Sequence, residues 1–398
     1  MDAINRKDWT VLVYQGGVNN LDPSLQANLR ELARGPHPAN VDVVVRQFDR
    51  TGQRRDYQID ERGLTPLGEV TTEADSANPA QLAQFLKMGI SSYPARHYMV
   101  VLSSHGRGAE GLIEDERSGG LISLAQLRQA LEVGRDANGG KRLDLIFFDA
   151  CRMQAVEVAS EIQSTAEVAV GSMDRIGSAG FDPKAMLEAA ANSAAGPELA
   201  SRLVNDTGPR QLDTFGSMSA IRLDQTGPLE LAFAELSQAL LGLDAEAGRR
   251  VREVSQQSRR SLPSPTYLDG LDNMAYSIKL HPKNSAEELQ DWLEQTRPSD
   301  PVSILSLCQN LLGDRALMEA HPRLEQAVRQ VNEAHAQAVL AERGESLSVL
   351  MPIESAQSGP VLSFDEKTQW PRAVHHIVPT GSPANLPPTW LKEELEGR

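Results

Sequence analysis

The sequence predicts an α/β fold: a doubly wound, mostly parallel sheet flanked by helices, followed by a helical C-terminal subdomain. Three observations lead there. The runs Leu145 to Phe148 and His97 to Ser103 have the unbroken apolar composition of strands buried on both faces of a sheet. Stretches with helical spacing alternate with such runs as far as Leu223, the order that builds a parallel sheet. Beyond Pro228 strand-like runs give way to helical ones. The chain therefore divides into an α/β core over 1–227, a helical subdomain with a returning strand over 228–352, and an irregular tail over 353–398 rich in proline, with Trp370 and Trp390.

Taken in order, Thr10 to Tyr14 reads as the first strand and Val41 to Phe48 as the second. Leu25 to Ala33 forms an amphipathic helix between them, stopped by the turn-rich Gly35 to Asn40. Gln53 to Glu73 alternates as a surface hairpin does, and Leu82 to Gly89 is the next helix. After the strand from His97, residues Leu112 to Glu116 and the following Arg-Ser-Gly-Gly suit a loop or short hairpin. Ser123 is placed to cap a helix running to Val133, and Asp136 to Arg142 is an exposed turn into the strand at Leu143. A helix from Gln154 to Ile162, a strand from Ala166 to Met173 and another from Ser217 to Leu223 complete the core. Helices are then expected over Leu229 to Leu243, Ala245 to Gln257, Ala286 to Gln295, Pro301 to Leu312 and Pro322 to Arg343, before a returning strand from Leu347 to Met351.

Composition narrows the function classes. With 398 residues, 40% hydrophobic and 23% charged, the chain can bury a sizeable core. A net charge of −15 argues against nucleic acid, whose phosphates need clustered Lys and Arg, and favours basic polypeptide as a ligand. Met1 to Asp8 has no apolar segment behind it, and no run reaches the roughly 20 apolar residues of a membrane span. Two cysteines in this length suggest a reducing, cytoplasmic compartment. Of these, Cys308 sits in an apolar helical pattern and reads as core.

Cys151 is different, because it follows Asp149 at the carboxyl end of a buried strand, where open α/β sheets place their ligands. The expected helix from Gln154 would put its positive end near the sulfur and favour thiolate. His105 occupies the equivalent place after its own strand, in Ser104-His105-Gly106-Arg107-Gly108. Cysteine as nucleophile and histidine as proton carrier need only hydrogen-bond proximity, which two adjacent strand ends supply. The amides of Gly106 and Cys151 are the candidates for stabilising an oxyanion.

The segments Ser-Ser-His-Gly-Arg-Gly and Phe-Phe-Asp-Ala-Cys-Arg-Met resemble the His-Gly and Asp-x-Cys motifs of the clostripain family, cysteine peptidases of caspase-like fold. The opening Trp9 to Leu21 is similar to the family's first strand and Gly-Asp-Asn-Asn-Leu turn, with Val18 in place of the aspartate. Asn78 to Gly89, Tyr267 to Ala275 and Ser346 to Pro352 also resemble family segments, so the likeness spans most of the chain. The resemblance implies a cysteine endopeptidase with Cys151 and His105 as its dyad. It also implies that Asp149 helps form an acidic pocket for Arg or Lys before the cut, which a bidentate carboxylate–guanidinium pair would favour. The family's second pocket acid falls in a motif that reads Ala179-Gly180-Phe181 here, leaving Ser172, Asp174 and Asp182 as neighbours that could substitute.

Family members are often made as precursors, activated by proteolysis or release from a partner. Arg117 and Arg142, between the histidine and the cysteine, and Arg259 and Arg260, beside the proline-broken 262–265, are candidate processing sites. Some relatives use calcium, which the resemblance leaves open as a cofactor. No calcium-loop pattern occurs in the sequence, and Glu114 to Glu116 is too slight to make a site. A role in bacterial defence or cell death is an expectation from the family alone. The competing readings are a silent caspase-like scaffold that binds protein partners and a thiol-dependent transferase sharing the acyl-enzyme step.

Overall fold

The computed structural model describes residues 6–206, 213–261, 301–351 and 362–377. Its centre is β1 (Lys7–Gly16), β2 (Val41–Phe48), β5 (Ala95–Ser103), β8 (Leu143–Asp149) and β9 (Ala166–Gly171), five parallel strands rich in valine, leucine and phenylalanine. One edge is extended by the antiparallel hairpin β3 (Arg54–Asp60) and β4 (Gly63–Pro66), as the alternating sequence there predicts. The other edge carries β10 (Met218–Arg222) and β12 (Val339–Arg343), both antiparallel to their neighbours. The nine strands run in the order β12-β10-β9-β8-β5-β1-β2-β3-β4.

Helices cover both faces. On one lie α1 (Asp22–Arg34), α5 (Pro183–Ala191) and α6 (Gly196–Asn205), contributing Leu29, Leu187 and Leu203 to a cluster that takes Val11, Met99 and Phe147 from the sheet. On the other lie α2 (Pro79–Ser92), α3 (Leu124–Ala137) and α4 (Val156–Ile162), against Leu12, Val100 and Ile146. Alternate residues of each strand thus feed opposite layers, which is why the strand runs are apolar throughout. Ser123 caps α3 in a complete capping box. A short hairpin, β6 (Leu112–Asp115) and β7 (Gly120–Ile122), precedes α3.

The structure differs from the sequence expectation in several respects, most of them in the C-terminal part. The helix begun at Pro322 ends at Ala338, and Val339–Arg343 is the edge strand β12, because this half-buried segment finds a free sheet edge at β10. The returning strand is the two-residue β13 (Ser348–Val349), which pairs with β11 (Val302–Ser303) outside the main sheet. The strand at Ser217 joins antiparallel rather than parallel, and α5 and α6 went unread among small residues. The tail holds α12 (Ser363–Thr368) and α13 (Trp370–Ile377), with Trp370 buried against Phe233 and its Nε1 donating to Leu350 O at 2.8 Å. These pack with α7 (Thr226–Leu241), α8 (Ala245–Gln256), α9 (Ile304–Gly313), α10 (Arg315–Ala320) and α11 (Pro322–Ala338) into the same apolar cluster as one sheet face. Cys308 is buried there, its thiol pushed up to about 12 by burial. The segments Tyr267 to Ala275 and Ala286 to Gln295, and Trp390, lie outside the described residues.

Candidate active site

Register sets the site. In the order β8-β5-β1, Asp149 stands beside Ser103 and Ser103 beside Gln15, so three neighbouring parallel strands finish on one rim. Two residues beyond Asp149 comes Cys151, and two beyond Ser103 comes His105. The cysteine turn is tied to the exit of β9 by Arg152 N donating to Asp174 O (2.9 Å) and Gln154 N donating to Ser172 O (3.0 Å). Arg152 takes a left-handed φ of +63°, which turns the chain sharply after the thiol. The half-buried Sγ accepts from Ile176 N at 3.3 Å.

One electrostatic expectation is overturned. Helix α4 begins at Val156, with Ala155 as its N-cap, so a turn separates Cys151 from the helix end. The dipole that would favour thiolate fades within the first turn. Burial instead raises the thiol above its ordinary value, opposed more weakly by the Ile176 amide, Arg152 and Arg175.

The histidine loop presses on this turn. A Cβ on Gly106 would collide with Cys151 O, and would stand 3.1 Å from Cys151 N and 3.0 Å from the Ala150 Cβ. Only glycine permits that approach. Ile113 N donates to His105 O and Arg107 N to Gly111 O, both at 2.9 Å, which holds the loop to the β6 hairpin. Among the described residues no acceptor takes the amide of Gly106 or that of Cys151. The imidazole Nε2 of His105 lies 2.6 Å from Asn20 Oδ1. Burial lowers its pKa, with Glu114 and Glu116 pulling the other way, so the ring favours its neutral form.

Asp149 lies beneath the rim, 8% exposed, accepting from Ser103 Oγ (2.9 Å) and Phe181 N (3.0 Å). Gly180, at φ +65°, faces both carboxylate oxygens, and a Cβ there would come within 2.7 Å of each. Burial raises the Asp149 carboxyl to about 6, against the pull of Ser103 and Phe181. Ala179, in place of the family's second acid, offers its carbonyl to Asn28 Nδ2 at 3.0 Å.

The three residues that could substitute have partners of their own. Ser172 Oγ donates to Phe215 O (2.9 Å) and receives Asp174 N (3.0 Å), which makes it a brace for the β9 exit. Asp174 is fully buried and bridged to Arg259 Nη2 at 2.8 Å. Asp182 caps α5, accepting from Lys184 N and Ala185 N. Arg259 is held in that bridge and beside Met173 Sδ, while Arg260 forms a β-bridge with Val302. Arg117 tops the β6–β7 turn, donating to Thr51 O and Ala74 O. Arg142 precedes β8 and so sits at the rim opposite Cys151. Among the described residues, no group of three His, Cys, Asp or Glu could hold a metal ion, and no helix is long and apolar enough to cross a membrane.

Sequence reasoning passed over Asn20. Its signal was the pair Asn19-Asn20 just beyond the first strand, the neighbour of the histidine strand.

The family model described as the clostripain family matches residues 13–280. A secreted C11 cysteine protease from Bacteroides thetaiotaomicron, solved with an irreversible peptide inhibitor, superposes with a TM-score of 0.64 at 19% identity, over 91% of this chain and 99% of that one. A second, "iotapain" from the same organism, gives 0.61 at 12% identity over 93% and 100%. An inactive zymogen C11 protease from Parabacteroides distasonis gives 0.60 at 16% over 94% and 99%. No curated protein matches the chain significantly.

Proposed function

The chain belongs to the clostripain family of cysteine proteases, and on that premise we propose that it cleaves peptide bonds after arginine or lysine through a Cys151–His105 dyad. The observation that carries this reading is the close approach of Gly106 to the backbone of Cys151, at the ends of two strands in register. Burial raises the thiol and lowers the imidazole, so the resting pair is neutral. His105 takes the Sγ proton as the sulfur bonds to the scissile carbonyl carbon. The oxyanion that forms meets the uncommitted N–H groups of Gly106 and Cys151. As the tetrahedral adduct collapses, the C–N bond breaks and His105 returns the proton to the leaving amine. Water then hydrolyses the thioester, releasing the acid and restoring the thiol.

The basic preference is supported by the Asp149 carboxylate under the rim and by the net charge of −15, which attracts cationic polypeptide. We include latency relieved by processing or partner release; Arg142, at the far rim, would have to be cut by another molecule. Two free thiols favour a reducing, cytoplasmic setting. The test is cleavage of arginyl and lysyl reporter peptides before and after limited proteolysis, with Cys151→Ala as control. Thiol-dependent turnover absent from the control is expected. Its absence under every condition overturns the reading.

A further inference from the structure

We propose that Asn20 is a positioning residue of the site, holding the His105 ring through Nε2 so that Nδ1 serves the Cys151 thiol. The assignment rests on the dyad reading above but on a different observation, the 2.6 Å contact between Asn20 Oδ1 and His105 Nε2. An amide oxygen can only accept, so Nε2 carries the hydrogen and Nδ1 keeps its lone pair for a thiol proton.

The contact is built in rather than incidental. Asn20 follows β1, and β1 pairs with β5 as far as Gln15 and Ser103, so its turn stands beside the histidine loop. Asn19, fully buried, fixes that turn: its Nδ2 donates to Gly16 O (3.0 Å), Ser104 Oγ (3.3 Å) and Glu114 O (2.8 Å), and its Oδ1 receives Leu21 N (2.9 Å). Those bonds join three segments around His105, the β1 turn, the β5 exit and the β6 strand. Asn20 is exposed and, among the described residues, its side chain bonds to His105 alone. A neutral amide accepts from imidazole and imidazolium alike and favours the cation far less than a carboxylate would, so it orients the ring without adding a charge that would trap the proton.

The test is the rate of iodoacetamide alkylation of Cys151, read from the mass of its peptide between about pH 5 and about pH 9; it requires neither activation nor a known substrate. His105→Ala should slow the reaction at neutral pH. Asn20→Ala should slow it about tenfold, the worth of one aligning hydrogen bond, and add nothing when His105 is already alanine. Asn20→Asp should restore the rate and move the limb set by His105 upward by about one pH unit, since a carboxylate stabilises imidazolium. If His105→Ala slows alkylation while both Asn20 variants react as wild type, Asn20 has no positioning role and the dyad stands. If the Asn20 variants only lower the melting temperature and leave the pH limb in place, the role is structural and the proposal fails. If His105→Ala itself reacts as wild type, the dyad reading fails and takes this assignment with it.

Discussion

Strands β5 and β8 carry a histidine and an aspartate at each of their two rims. At the amino-terminal rim His97 Nδ1 lies 2.6 Å from Asp144 Oδ1, Tyr98 N donates to Asp144 Oδ2 (2.8 Å), and the ring lies against Trp9 with centroids 5.0 Å apart. At the carboxyl rim His105 bonds to a neutral amide at the same distance, and Asp149 is turned inward to Ser103 and Phe181. The first histidine is paired with a carboxylate, and no thiol stands on its rim. Burial lowers the pKa of the second, which follows the strand next to the one that leads to Cys151. The contrast teaches that a short histidine contact says little by itself; the charge of the partner and the neighbouring nucleophile decide what the ring can do.

The largest test of that contrast is paired substitution. His105→Ala should lower reporter cleavage by roughly a hundredfold to ten-thousandfold, the usual range for a lost general base, with little change in stability. His97→Ala should do the reverse, leaving turnover near wild type and costing about 1–3 kcal/mol in urea titration through a stranded carboxylate. Equal losses of turnover would erase the distinction. Next comes Asp149→Asn, expected to cut kcat/KM for arginyl reporters about a hundredfold relative to neutral ones, whereas Asp144→Asn should leave that ratio alone. In the wild type the arginyl preference should fade as pH drops through about 6, where Asp149 gains its proton.

Smaller effects follow from the same rim. Gly106→Ala should reduce turnover by about tenfold and stability by about 1–3 kcal/mol, since the methyl must displace the Cys151 carbonyl. The pH dependence of folding offers the finest measure. The Asp149 carboxyl titrates higher in the folded chain, about 6, than in the unfolded one, so the folded state binds more protons between those values. The contribution of this group to stability should be greatest below its unfolded pKa and decline by up to about 3 kcal/mol as pH rises through about 6. Asp149→Asn should flatten that decline in thermal melts at graded pH. A slope unchanged by the substitution would place its source elsewhere.

Much of this was legible in the chain because parallel sheets write themselves plainly. Buried strands are apolar on both faces, so β5 and β8 announced themselves, and the polar residues just past them marked the rim. Ser123 was readable because a cap needs only local chemistry. Asn20 was not, since its role depends on a partner 85 residues away and asparagine in a turn has ordinary uses. Val339–Arg343 followed a long helix without a break, and only the open edge of β10 made it a strand. Trp370 sat among prolines that suggested irregular chain, while the ring it packs on, Phe233, comes from a helix far upstream. The state of the thiol was misjudged because sequence gives only a helix's approximate start, and two residues of error matter when the dipole fades within the first turn.

The β12 strand carries a consequence for any nicked form of the protein. It lies far downstream of β10, yet the two are knitted by main-chain hydrogen bonds, and Trp370 further on is sealed into the shared interior. A backbone break anywhere between 261 and 301 would leave two polypeptides that interlock through one sheet, the second supplying its edge strand β12. They should travel as one species in gel filtration and come apart only in detergent or denaturant.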